Sequence, residues 1–260
     1  MQQQNGFSLL EMIGVMAVMA ILAGAIAPAV FQMMEDAHET AERQNLDNLA
    51  DALRQVVRND RRIPSLTTSD WTTAIADYAS LAPANVLQNE KNQNRRLYAD
   101  PMFFTNTNQA FAGYTQTSGL NTRPYSPRMM LVSNLNGSVS ANLNSHTRFT
   151  DVWEQTADAL IVESDSVIVE RINLASEFYE IVLSNSNTGQ AGYVLDSGSE
   201  AAIAAALSGV DGSRTIFVLA GSRLALRAAP YPGGTTQRQI LLTDSQNFRY
   251  QLDGGVWVWD

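Results

Sequence analysis

A chain of 260 residues, 45% hydrophobic and 17% charged, has material for one sizeable core plus an appendage, and its composition is neither disordered nor fibrous. Seventeen basic side chains against 26 acidic ones, a formal net charge of -9 with Lys91 as the single lysine, provide no polycationic surface for phosphates, so nucleic acid is not an expected partner. Having no cysteine, the chain makes no disulfide, zinc-thiolate site, iron–sulfur cluster or thiol nucleophile.

The charge is uneven. Residues 1–60 hold eight acidic and three basic side chains, which sets this segment apart from the rest. Within it, Met12 to Phe31 reads MIGVMAVMAILAGAIAPAVF, 20 residues without a charged, amide or hydroxyl side chain. As a helix rising about 1.5 Å per residue, that run spans roughly 30 Å, the thickness of a bilayer's hydrocarbon core. A buried core helix would ordinarily keep a polar stripe, and none interrupts this run. A cleaved secretory signal fits less well. MQQQNG has no basic residue, the apolar run is too long, and the best small-x-small site, Ala25-Ile26-Ala27, is followed by Pro28.

Beyond Phe31 the pattern turns amphipathic, with Ala41, Leu46, Leu49, Leu53, Val56 and Val57 recurring at helical offsets. No glycine or proline falls between Phe31 and Arg62. One helix is therefore predicted over about 8–59, half in lipid and half docked on a globular part, with Pro64 just past its end. Gly24 and Pro28 weaken the helical ladder, and a kink is expected there. Glu11, at the edge of the apolar run, needs a partner, since a carboxylate in a membrane helix is costly. Removal of a leader after Gly6 would free an amine on Phe7, four residues from Glu11 or beside the Glu11 of a neighbouring subunit. The two charges would satisfy each other in low dielectric, and the helix dipole favours an acid at that end.

GFSLLEMIGVMAVMAILAGAIAP resembles the N-terminal motif of type IV pilins and type II secretion pseudopilins: a short leader ending in Gly6, aromatic Phe7, Glu11 fifth after the cut, and Pro28 downstream. The resemblance implies cleavage after Gly6 by a prepilin peptidase, N-methylation of Phe7, and a role for Glu11 in neutralising the amine of the adjacent subunit during assembly. It further implies other pilin or pseudopilin subunits and an inner-membrane assembly platform as partners. The N-terminus would be cytoplasmic, the head periplasmic, and the subunit incorporated in a periplasmic pseudopilus or an extracellular pilus. The expected organisation is a leader at 1–6, a transmembrane and filament-core helix at 7–31, the amphipathic half at 32–62 and a globular head at 63–260.

In the head, a helix is predicted over Ser69 to Leu81, capped by Ser69 or Asp70. The stretch from Asn85 to Arg128 has little periodicity and reads as long loops. Strands are predicted at Met129 to Leu135, Ser166 to Ile172, Phe178 to Leu183, Gly192 to Leu195, Thr215 to Leu219, Arg223 to Ala228, Gln239 to Thr243, Asn247 to Leu252 and Gly255 to Trp259. The last two form a hairpin. Short helices are predicted at Asp151 to Leu160 and Glu200 to Leu207. The fold class that follows is α+β: a long N-terminal helix packed on an antiparallel β-sheet head, with the Leu46 to Val57 stripe as the sheet's cover.

Candidate chemistry is sparse. His38 and His146 are the only histidines, and no G-x-S-x-G elbow accompanies them, although a Ser-His-Asp set can assemble from distant residues. Asp196, Asp211, Asp244 and Asp253 sit in turn-like stretches and are the calcium candidates, turn formation being the plainer reading. No other cofactor is expected. Trp257 and Trp259 alternate onto one face of the last strand, which is either core or an adhesive surface. The reading is a structural subunit without turnover chemistry. A large, cysteine-free head favours a minor pilin or minor pseudopilin; the rivals are a tip adhesin or substrate-binding module and a membrane-anchored enzyme.

Overall fold

The computed structural model describes residues 9–139, 142–155, 166–196, 198–208, 210–251 and 255–259. Helix α1 (Leu9–Asp60) is a single element of 52 residues, about 78 Å long. It passes through Pro28, whose missing N–H leaves the Gly24 carbonyl without its helical donor. It ends where Arg61 takes a left-handed conformation (φ 52°), ahead of Pro64. The Arg61 guanidinium donates to the Asn59 and Gly221 carbonyls, tying this end to the head.

The predicted stripe is the docked face. Leu46, Leu49, Leu53, Val56 and Val57 are buried, together with Ile75 of α2 (Thr68–Ala79) and Val86 of α3 (Pro83–Leu87). Asp70 does not cap α2, contrary to expectation. The cap is Thr67, without a side-chain bond, while the Asp70 carboxylate accepts from the Ser65 N–H and hydroxyl, both at 2.8 Å, and fixes the approach to the helix.

Under α1 lies a three-stranded antiparallel sheet ordered β2 (Arg96–Ala99), β4 (Arg128–Asn134), β5 (Val167–Asn173). The central run MMLVS of β4 is buried on both faces, which explains why it is continuously apolar and not alternating. Met129 and Leu131 face the α1 side, and Met130 and Val132 pack on Phe149 and Val152 of α4 (His146–Glu154). Helix α4 starts five residues before the predicted Asp151, with Ser145 as its cap; predicted positions 156–160 lie outside the described residues. The expected long loops also need correction. They contain the end of α3, β2 and β3 (Tyr114–Thr115), which makes a two-residue ladder with β1 (Arg62–Ile63), pieces too short to carry a period. Phe103 packs on Phe104, Phe111 and Phe178 and pins the irregular chain between them.

The rest of the head is a sandwich with its own core. One sheet is ordered β11 (Thr236–Leu241), β10 (Arg223–Arg227), β7 (Ala191–Leu195), β8 (Ala201–Ile203). The other is ordered β13 (Trp257–Trp259), β12 (Gln246–Tyr250), β6 (Phe178–Asn185), β9 (Gly212–Leu219). Tyr193, Leu224 and Leu226 from the first meet Ile181, Val218, Phe248 and Trp257 from the second. All nine predicted strands are present and α+β is the class. The stripe of α1, however, covers mainly the three-stranded sheet, its core reaching the sandwich only at Phe178 and Leu219, because the two four-stranded sheets bury their apolar faces against each other. One pairing is parallel, β12 with β6, since the chain reaches β12 only after crossing the other sheet. The predicted helix from Glu200 to Leu207 is instead strand β8, whose pairing Ala191↔Ile203 seats Ile203 in the core and overrides the helix propensity of the alanines.

Candidate functional site

The feature that needs explaining is the first half of α1. Every large apolar side chain from Met12 to Phe31 is between 46% and 73% exposed, and Met33 and Met34 continue the surface. Its most apolar 18-residue window has a mean hydropathy of 2.3 and no buried residue. Each such side chain left in water forfeits about 1.5–3 kcal/mol, so this half belongs in lipid or among other apolar helices.

Two bidentate ion pairs clamp the other half. Glu42, on the buried stripe one turn before Leu46, receives Arg95 Nε and Nη2, both at 2.6 Å, with both side chains almost fully buried. Arg95 also donates from Nη1 to the carbonyls of Asn85, Val86 and Gln88, closing the end of α3. Sixteen positions along, about 24 Å, Arg58 grips the buried Glu177 at 2.7 and 2.6 Å. Between the clamps the apolar stripe packs without interruption, so this half of α1 and the sheet beneath it are rigidly joined.

A second polar cluster brings one histidine, one serine and one aspartate together. Asp100 is fully buried; its Oδ2 accepts from Ser126 Oγ at 2.6 Å and Arg128 at 2.9 Å, and its Oδ1 accepts from the Met102 N–H at 2.9 Å and lies 2.8 Å from His146 Nδ1. Burial alone would raise the Asp100 pKa. The bonds from Ser126, His146, Met102 and Arg128 outweigh it and hold the carboxyl below its ordinary value. A nucleophilic triad places the imidazole between hydroxyl and carboxylate. Here serine and histidine both bind the carboxylate, on opposite oxygens, and the cluster acts as a staple joining β2, β4 and α4. Its contribution is present above the unfolded carboxyl's pKa, about 4, and is lost as pH falls through the lower folded value. The advantage of wild type over Asp100→Asn in unfolding free energy should therefore shrink as pH falls below about 4, which denaturant titrations across acid pH will read.

The sequence candidates fall as follows. Gly6, Phe7 and Asp253 lie outside the described residues, and Glu11 falls in the first turns of α1. Gly24 and Pro28 sit in the exposed half. Asp196 is occupied by the Gln116 amide and the Arg223 N–H, both at 2.9 Å, Asp211 by Arg249 at 2.7 Å and Ser186 at 3.0 Å, and Asp244 by Gln246 at 2.5 Å. No group of three histidine or acidic residues gathers as a metal site among the described residues. His38 reaches Glu90 at 3.1 Å across the junction of stem and head. Trp257 is buried and donates its indole N–H to the Arg227 carbonyl, so it is no part of an adhesive face. Arg95 and Arg58 carried no local signal, although an acid at position 42 in the register of the buried stripe marks a charge in need of a partner.

A long stem, apolar and bare at one end and clamped to a β-rich head at the other, fits a membrane-anchored or helix-assembled subunit. The family described as the prokaryotic N-terminal methylation motif matches residues 1–27, so the chain carries the signature of type IV pilins and pseudopilins. That motif supports a pilin-like or pseudopilin subunit and implies processing by prepilin peptidase and assembly with other pilin subunits. No curated protein and no solved structure matches the chain.

Proposed function

We propose that the chain is a minor pilin or minor pseudopilin: a structural subunit anchored in the inner membrane by α1, with its head in the periplasm, that enters a type IV pilus or a type II secretion-like filament. The observation that carries this reading is the continuity of α1, whose bare apolar half extends directly, as one helix, from a half clamped to the head. Other apolar helices replace lipid around Met12 to Phe31 at little free-energy cost, since the two surroundings have similar polarity. Cleavage follows Gly6, Phe7 becomes the methylated N-terminal residue, and Glu11 pairs with the amine of a neighbouring subunit. Gly24 and Pro28, with one ladder bond missing between them, give the stem a point of bending inside the filament. The role assigned involves no cofactor and no turnover.

The test is the intact mass of the protein from membranes of cells with and without the prepilin peptidase. Loss of residues 1–6 and gain of one methyl group, in the presence of the peptidase alone, is expected; an uncleaved chain, or one cut near Ala27, would sink the proposal. Glu11→Ala should still insert in the membrane and be cleaved, yet be lost from filaments, as read by co-purification with the other subunits. Normal incorporation of that variant would remove the role given to Glu11.

A further inference from the structure

Beside the docked half of α1, between it and the α2–α3 segment, runs a groove of about 530 Å³, within the roughly 300–1,000 Å³ of small-ligand sites. Its apolar lining is Leu49, Ala52, Ala79 and Leu81. Its rims are carboxamides: Asn45 and Gln55 on α1, facing Asn85, Gln88 and Asn92. The side-chain amides of these five make no hydrogen bond among the described residues. Each presents two donors and an acceptor on one planar group. Of the charged residues lining the groove, Arg95 is matched by Glu42, and the Glu90 carboxylate lies 3.1 Å from His38 Nδ1. The groove is thus dense in donors and acceptors and lined by no unmatched cation.

We propose that this groove binds a neutral carbohydrate chain. A sugar hydroxyl both donates and accepts, and adjacent hydroxyls meet the paired donor and acceptor of a carboxamide, whereas a phosphate or carboxylate ligand calls for cations that this lining does not offer. An extended peptide calls for pockets that take alternate side chains, and a lining in which carboxamides outnumber apolar side chains favours hydroxyls over them. Tyr78 spends its hydroxyl on Asp60 at 2.6 Å, so its contribution to the wall is the ring, a surface suited to the C–H face of a pyranose. From Asn45 to Gln55 the rim runs about 15 Å, room for a short oligosaccharide. The assignment rests on the filament reading for one point only, that the head lies outside the cytoplasm.

The experiment uses the full chain in an amine-oxide detergent, which has no sugar headgroup, titrated calorimetrically with maltohexaose, cellohexaose and chitohexaose, with polygalacturonate and an asparagine-rich peptide as contrasting probes. Saturable binding of at least one neutral oligosaccharide is expected, weakened about 10-fold or more in Asn85→Ala/Gln88→Ala with the melting temperature unchanged, since two exposed amides are lost. Binding of none of the three oligosaccharides, binding of polygalacturonate or peptide alone, or neutral-sugar binding that the double variant leaves intact would each overturn it. Filament incorporation of the double variant should be normal. If incorporation is lost instead, the groove is a contact between subunits and the carbohydrate assignment falls while the filament proposal stands; an uncleaved leader would undo the filament proposal and leave the titrations untouched.

Discussion

Glu42→Ala should cost about 3–5 kcal/mol of head stability, because it strands the Arg95 guanidinium in a site from which water is excluded. The intact pair is not assumed to be a large net stabiliser, since removing two charges from water offsets most of their attraction. The loss comes from leaving one charge behind. Replacing both, as Glu42→Leu with Arg95→Met, should recover part of the loss and not all of it. Arg95 also donates to the carbonyls of Asn85, Val86 and Gln88, and methionine leaves those acceptors without their partner. Denaturant unfolding of the full chain in detergent, followed by tryptophan fluorescence, will separate wild type and the two variants. A loss below about 1 kcal/mol for Glu42→Ala would mean that the pair behaves as a solvent-exposed one and that the stripe alone holds the stem. In the expected case the stem frees itself from the head at this end first, since the Arg58–Glu177 clamp lies at the other.

What was legible in the sequence divides along a physical line. Properties carried by consecutive residues were readable: the apolar run from Met12 to Phe31, the stripe from Leu46 to Val57, and the nine strands, each announced by its own apolar pattern. Properties carried by pairs distant in sequence were not. A strand's pattern reports which of its faces is buried and is silent about what buries it, so the division into a covered three-stranded sheet and a separate sandwich could not be read. The same holds for β12, whose residues Phe248 and Tyr250 alternate as predicted but which lies parallel to β6. The helix predicted over Glu200 to Leu207 fails for a related reason: alanine is a helix former by default, and the partner strand β7 makes Ala201 to Ile203 extended. At the polar sites, position 42 gave half of the signal, an acid in a buried register, while its partner lies 53 residues away. The carboxamide groove is less legible still, because asparagine and glutamine scattered over two helices and a loop read as ordinary surface until the fold sets them face to face.

Trp257→Ala should cost about 3–5 kcal/mol, the loss usual for truncating a buried aromatic. Strand β13 is three residues long, and a strand that short holds its place through one anchor. Trp257 is 1% exposed, its ring centroid is 5.2 Å from that of Tyr250, and its indole N–H serves the Arg227 carbonyl on the opposite sheet at 3.0 Å. Its backbone N–H donates to the Gln237 side chain, which in turn donates to the Gly255 carbonyl, so a single glutamine of β11 bridges the open edges of both sheets. Loss of the indole removes the filler between the sheets, the partner of a main-chain acceptor and the register of that bridge together. Trp257→Phe keeps most of the volume and loses the N–H, and should fall between, at about 1–3 kcal/mol. Unfolding curves of the three proteins will order them, and the leader should still be removed in all of them, because the stem and its two clamps are distant from this edge. An adhesive tryptophan would give the opposite pattern, ligand attachment lost with the unfolding curve unmoved, and a stability loss below about 1 kcal/mol for the alanine variant would return Trp257 to that reading.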